Sequence, residues 1–276
     1  MRMDRVTENI YIFASDLYIQ VISTVLLTKE GAIVIDTMPF PSEARQVLAF
    51  IEDKLGPNSV CYVINTHHHA DHVYGTYLFE GAEVIAHDKC RELLERWGEA
   101  RLDRARKETP VLGEVELCLP DITFRREMHL HLGNRDLRLF HTPGHTADGI
   151  SIYVMGEKVL VAGDVVMPVP HIMEGNVEQL KASLLTLKAI NPSFIIQGHG
   201  NVLLRGEVPE TIDSSIAYLS MITEKVRDLV ERGLAPHELR EIDIESCGKS
   251  RVPLNGFVSK IHLANLVALY KKMTQD

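Results

Sequence analysis

The 276-residue chain is 45% hydrophobic and 24% charged, a composition that supplies a substantial core and excludes intrinsic disorder. Its 29 basic and 38 acidic residues leave a net charge of −9, without the basic stripe that a nucleic-acid backbone calls for. No segment approaches the roughly 18 apolar residues of a membrane span, "MRMDRVTENIYIF" has no secretory core, and Cys61, Cys90, Cys118 and Cys247 are scattered, so a cytoplasmic protein with free thiols is expected, bound to neither membrane nor nucleic acid.

"NIYIF", "YIQVISTVLL" and "GAIVIDT" are β-rich segments parted by turn signals, with "KEG" marking a hairpin; the chain is expected to open as an antiparallel meander. Ala44, Val47, Leu48, Ile51 and Leu55 then fall at helical spacing behind Pro41 and a Ser42 cap, and "VCYVINT" follows as a buried strand. "AEVIAH" reads as a strand, and residues 88–108 as a charged helix with a break near Gly98. Residues 121–141 read as strands around "LGNRD", and "GISIYVM" with "KVLVAG" as a hairpin at Gly156. Asn176 caps a helix carrying Leu180, Leu184 and Leu187, and "SFIIQ" is expected to be the last strand. Beyond it, Ile212, Ile216, Leu219, Ile222, Val226 and Val230 form one helical stripe, and Leu263, Leu266, Val267 and Tyr270 another. Residues 1–205 are thus expected to form one α/β domain, with 206–276 a helical cap that packs on it and helps wall the site.

The chemistry concentrates in "THHHADH", four histidines and an aspartate in six positions behind a buried strand. His67 and His69 lie two apart, so extended backbone projects them to one side, while Asp71 and His72 follow where the chain turns into a helix. That arrangement can serve two metals, imidazole being the commonest metal-binding side chain. Later apolar runs end in "HTPGHTADG" with His141 and His145, "VAGDVV" with Asp164, and "IIQGHG" with His199. His145, Asp164 and His199 each sit beside glycine after an apolar run.

In this pattern the sequence resembles the metallo-β-lactamase fold superfamily, whose order is H-x-H-x-D-H, a histidine in an "HTPGH" turn, an aspartate in a "GD" turn and a histidine in "GHG". The resemblance spans roughly residues 8 to 200 and includes "VIDT", where Asp36 matches the family's buried aspartate behind the metal loop. It implies a four-layer αββα sandwich with a helical C-terminal extension. It also implies one divalent ion on His67, His69 and His145, a second on Asp71, His72 and His199, and Asp164 bridging them. Zinc is the first expectation, and manganese or iron suits the same donors. The implied reaction is hydrolysis of a carbonyl-type bond (ester, lactone, thioester or amide) in a small molecule. A metal-bridging hydroxide is the nucleophile, with Asp71 orienting it or relaying its proton.

His68 is not a family ligand and is expected to support the ligands from behind, as is His141 in its turn. Tyr74, Met167, His171 and Met173 follow metal-binding segments and are candidates for the substrate pocket. Two departures narrow the branch. Asp164 stands where the best-known β-lactamases have cysteine, and a bridging aspartate instead resembles the glyoxalase II, lactonase and broad hydrolase branches; "GDVVMP" in place of the "GDTLF" typical of glyoxalase II speaks against that branch's thioester specificity. The alternative is a mononuclear-iron oxidoreductase resembling persulfide dioxygenase. Monomer and homodimer both fit the sequence.

Overall fold

In the computed structural model, which describes residues 1–275, the meander is present. Strands β2 (Ile10–Ala14), β3 (Ile22–Leu27) and β4 (Ala32–Ile35) pair antiparallel in order, and β1 (Arg2–Arg5) adds an outer strand that the sequence pattern does not announce. Helix α1 (Pro41–Leu55) then crosses back, so that β5 (Val60–Ile64), β6 (Glu83–His87) and β7 (Ile122–Phe124) extend this sheet in parallel. The second sheet runs β8 (Glu127–Leu132), β9 (Arg135–His141), β10 (Ile150–Val154) and β11 (Val159–Gly163) antiparallel. Helix α5 (Val177–Ile190) carries the chain to β12 (Phe194–Gln197), parallel to β11, and β13 (Val202–Leu204) closes the edge. Between the sheets' segments lie α2 (Ala70–Val73), α3 (Asp88–Leu93) and α4 (Glu99–Glu108); α6 (Val208–Glu231) and α7 (Val258–Gln275) end the chain.

Side-chain alternation sorts the core. In β4, Ile33 and Ile35 face the other sheet while Ala32 and Val34 face α1, so both faces are dry and the strand reads as an unbroken apolar run. The same inner layer holds Ile10, Ile12 and Leu26 against Leu137, Leu139 and Ile152. Outside the first sheet lies α1, through Val47 and Ile51. Outside the second, Leu160 and Ile195 share one core with Leu184 of α5, Ile222 of α6 and Leu266 of α7. The chain is therefore a four-layer αββα sandwich with a helical C-terminal extension.

Two local expectations are corrected. Ser42 does not cap α1: the cap position is Phe40, with no side-chain bond, because Pro41 lacks an N–H and begins the helix itself. "SFIIQ" is not the last strand, since β13 pairs with it. Other expectations hold. Residues 121–141 form strands, β8 and β9 around Gly133 and Asn134, with β7 joining the first sheet. The Asn176 side chain accepts from Gln179 N at 3.0 Å, and the long helix changes at a wider turn, Leu94–Gly98, before α4. A Cβ on Gly98 would stand 2.4 Å from Leu117 Cδ2, so a larger residue there would have to push the Leu117 side chain aside.

Lys249 is buried beside α6, where its Nζ donates to Ser215 Oγ at 3.1 Å, and among the described residues no carboxylate pairs with it. Burial lowers its pKa from 10.5 to about 8. Because the folded value lies below the unfolded one, the unfolded chain binds more protons between these values, and stability rises with pH across that window. Lys249→Met should therefore stabilise the protein near neutral pH, by up to about 3 kcal/mol. That gain should shrink as pH passes from about 8 toward 10.5, a trend that urea unfolding at several pH values measures.

Candidate metal centre

The sandwich gathers strand ends at one edge. Asp36 follows β4, the "THHHADH" segment follows β5, His145 follows β9, Asp164 follows β11 and His199 follows β12. Backbone bonds stitch the two sheets there, Ile22 N donating to Gly198 O at 2.9 Å and Ile150 N to Thr66 O at 2.9 Å. As the spacing requires, His69 is extended (φ −67°, ψ 145°) and α2 begins directly after it.

Two groups of donor atoms result. In the first, His69 Nδ1 lies 3.0 Å from His67 Nε2 and 3.1 Å from His145 Nε2, and Asp164 Oδ2 lies 3.4 Å from His145 Nε2 and 4.0 Å from His67 Nε2. In the second, Asp71 Oδ2 lies 3.2 Å from His199 Nε2 and 3.6 Å from His72 Nε2. Asp164 Oδ1 faces that second group, at 3.4 Å from His72 Nε2 and 3.6 Å from His199 Nε2. Donors on one tetrahedral cation stand about 3.4 Å apart at metal–ligand distances near 2.0–2.1 Å. Both groups could hold an ion, with one oxygen of Asp164 turned to each.

The remaining ring nitrogens fix which atoms point inward. Nδ1 of His72 donates to Asp36 Oδ2 (2.8 Å), Nδ1 of His145 to His171 O (2.8 Å) and Nδ1 of His199 to Ile19 O (2.9 Å). A proton on Nδ1 leaves the Nε2 lone pair free, the tautomer that a ligand needs. His67 Nδ1 lies 3.0 Å from Thr66 Oγ1, which itself donates to Asp36. Asp36 is held at φ 59°, a left-handed conformation rare outside glycine, and accepts from Thr66 N and Oγ1 at 2.8 Å. One buried carboxylate thus orients two neighbouring segments of the metal loop.

The electrostatics of the pocket call for cations. His72 Nε2 and Asp164 Oδ1 are buried without a hydrogen-bond partner, a costly arrangement unless something else satisfies them. Burial and the adjacent imidazoles of His72 and His69 hold His67 well below its ordinary pKa, and burial takes His145 down to about 3. His199 moves the other way, to about 10, because Asp164 and Asp71 outweigh its burial. Asp164 is itself held far below the carboxylate range, His199 and His72 overcoming its desolvation.

The other expected residues divide. His68 turns away from the centre, its Nδ1 3.0 Å from Asp148 Oδ1 and its Nε2 3.1 Å from Arg101 Nη1. His141 Nε2 donates to Ala147 O across its turn, and the ring stacks on His87 at 4.1 Å. Met167, His171 and Met173 line a cavity of about 420 Å³ over Asp71, Asp164 and His199. Tyr74 does not: it is buried among Val73, Ala86, Cys90 and Leu94, because α2 turns it toward α3. Of the C-terminal helices, α7 supplies Lys260, Ile261 and Ala264 to the cavity wall, whereas α6 lies beneath it in the core.

Sequence reasoning missed Tyr18, Arg101 and Glu174, which also line the cavity. Arg101 Nη2 donates to Glu174 Oε1 at 3.1 Å, but in the sequence it is one charge among many on a helix. Asp148 was legible only as a turn residue of "HTADG", yet it is fully buried and also accepts from His68 N at 2.8 Å.

The family model described as "Metallo-beta-lactamase superfamily" matches residues 19–199, the span that holds every one of these donors. The chain belongs to this superfamily. It is 31% identical over 164 residues to a hydroxyacylglutathione hydrolase of Pelagibacter ubique, covering 59% of this chain and 58% of that protein. It is 23% identical over 252 residues to a linear primary-alkylsulfatase of a Pseudomonas species, covering 77% and 48%. The chain thus spans only about half the length of these curated relatives. Among solved structures, a metallo-beta-lactamase family protein from Thermus thermophilus superposes with a TM-score of 0.74 at 19% identity, covering 98% of this chain and 95% of the other. That neighbour shares the fold across the C-terminal helices as well.

If Asp36 orients His72 and the Thr66–His67 segment, Asp36→Ala should weaken zinc binding by roughly 10–100-fold. Chelator-competition titration of the folded protein measures this, and unchanged affinity would reduce Asp36 to a packing residue.

Proposed function

We propose that this chain is a binuclear metal-dependent hydrolase of carbonyl-type bonds in small molecules. His67, His69 and His145 would hold one divalent ion, Asp71, His72 and His199 the other, and Asp164 would bridge them; zinc suits these donors, as do manganese and iron. The observation that carries the reading is the division of the Asp164 carboxylate, with Oδ2 toward one imidazole group and Oδ1 toward the other. When bound, such ions supply Lewis acidity and bring a water's pKa from 15.7 to near 7.

The chain's own residues do the rest. Asp71 is the carboxylate placed to orient the attacking water and take its proton, since its oxygen faces the second imidazole pair and it also lines the cavity. The Nδ1 bonds of His72, His145 and His199 hold the rings in the ligating tautomer. Ile19, Met167 and Phe257 form an apolar part of the wall against which the non-polar part of a substrate would pack. The hydroxyacylglutathione hydrolases among the relatives support a thioester within the substrate class, although "GDVVMP" departs from the typical loop of that branch. The net charge of −9 agrees with a small-molecule substrate rather than a nucleic acid, and the reading includes a cytoplasmic setting and a monomer or homodimer; no helix among the described residues is long and apolar enough to cross a membrane.

The test is turnover of a panel of esters, thioesters and lactones by the zinc- or manganese-loaded protein. Asp71→Ala should lower kcat by about 10²–10⁴-fold while the ion held by three imidazoles is retained. Full turnover in that variant would contradict the role of Asp71. Oxygen consumption on adding a persulfide, with iron at one ion per chain, would replace the hydrolase with an oxidoreductase.

A further inference from the structure

The cavity over the metal donors does not end at α7. Its wall residues Met173, Lys260 and Ala264 also line a second hollow, of about 420 Å³, together with Leu263, Val267 and Ala268. Met173 and Ala268 are shared in turn with a third hollow that reaches Ile172, Leu269 and Met273. The three follow one another along α7 from the metal donors, each sharing wall residues with the next, and together make a segmented trough.

The helix is built for this. Ile261, Leu266 and Leu269 are buried in the core, which accounts for one face. Leu263, Ala264, Val267 and Ala268 are half-buried and repeat at positions that place them side by side on another face. Met173, 55% exposed, overhangs them. The floor of the second hollow is wholly apolar, and the only polar side chains along it are Lys260 and Lys271; the third is mixed, with Lys272 and Arg227 beside Glu178, Asn176 and Thr223. Apolar surface with a basic rim, continuous with a reaction centre, fits one hydrocarbon chain attached to an acidic or polar head.

Resting on the hydrolase reading above, we propose that the substrate is a long-chain acyl ester or thioester whose hydrocarbon tail lies in this trough while its carbonyl sits at the metal donors. From Lys260 to Met273 the trough follows about 20 Å of helix, the reach of an extended chain of roughly a dozen or more carbons. Hydrolysis adds one water to the acyl carbon and breaks the C–O or C–S bond. One of the water's protons ends on the leaving alcohol or thiol, and the other passes through Asp71 to solvent as the acid ionises to a carboxylate, which Lys260 at the junction of the first two hollows is placed to attract. The other occupant that such a face could take is a second copy of the chain.

The experiment compares the metal-loaded full-length protein with Ala268→Trp, which fills the trough, and Leu263→Glu, which charges its floor. Both positions are half-buried, so the core is spared. Turnover of p-nitrophenyl acetate, octanoate, dodecanoate and hexadecanoate is measured alongside calorimetric binding of dodecanoate and the oligomeric state. In the wild type kcat/KM should rise about two- to fourfold per added methylene until the trough is filled. In either variant the dodecanoate-to-acetate ratio should fall at least about tenfold, mainly through KM. A flat wild-type series, or a ratio that neither variant changes, overturns the proposal. So does a dimer that Leu263→Glu splits without any dependence on chain length. If no ester of any length is hydrolysed, dodecanoate binding decides: binding that the variants abolish upholds the trough and rejects an ester as the bond cleaved, and no binding rejects the trough.

Discussion

The site turns on a single carboxylate that has been taken out of water. Asp164 is 5% exposed, and desolvating a charge of that kind is tolerable only where opposite charge or hydrogen-bond donors meet both oxygens. Here each oxygen faces a different imidazole group, Oδ2 toward His67 and His145 and Oδ1 toward His72 and His199. Room for it is made by Gly198, where an added Cβ would stand 1.9 Å from Asp164 Oδ1. A side chain of any size there would displace the carboxylate that both proposed ions share.

The rest of the fold fixes what surrounds that carboxylate. The rings of His72, His145 and His199 are fastened by their far nitrogens to Asp36 or to backbone carbonyls, and these anchors lie on different segments: Ile19 before β3, Asp36 after β4 and His171 in the loop before α5. Ligand orientation therefore depends on the packing of both sheets, whose inner faces share one core through Ile33, Ile35, Ile150 and Ile152. The C-terminal helices are joined to the same system. Asn265 on α7 accepts from Ile172 N at 2.9 Å and donates to Pro170 O at 2.6 Å, tying α7 to the loop that carries His171 and Met173. A helix remote in sequence thus sets the shape of the cavity mouth.

What the sequence made legible follows from how local each signal is. The donor residues sit in short motifs at strand ends, and apolar runs bounded by glycine announce those ends directly. The meander and α5 with its Asn176 cap are equally local. Features that depend on distant partners were not readable. Strand β1 has four exposed residues and no apolar pattern; it exists because β2 offers an edge. Tyr74 follows a metal-binding segment but belongs to the α3 and α4 packing, since a single helical turn decides which way it points. Arg101 and Glu174 are separated by most of the second sheet and meet only across the cavity. The stripe on α7 showed that the helix must pack, but it mixed two faces: Leu266 is in the core, whereas Leu263 and Val267 are half-buried beside the cavity, a division that only the packed helix reveals.

The two-ion arrangement is the claim on which the chemistry rests, and native mass spectrometry of the folded chain titrated with zinc tests it most directly. Seven donors in two groups that share Asp164 lead to a final mass increase of two ions per chain, because one tetrahedral ion satisfies only four donors. Saturation at one ion per chain, unchanged by excess zinc, would contradict it.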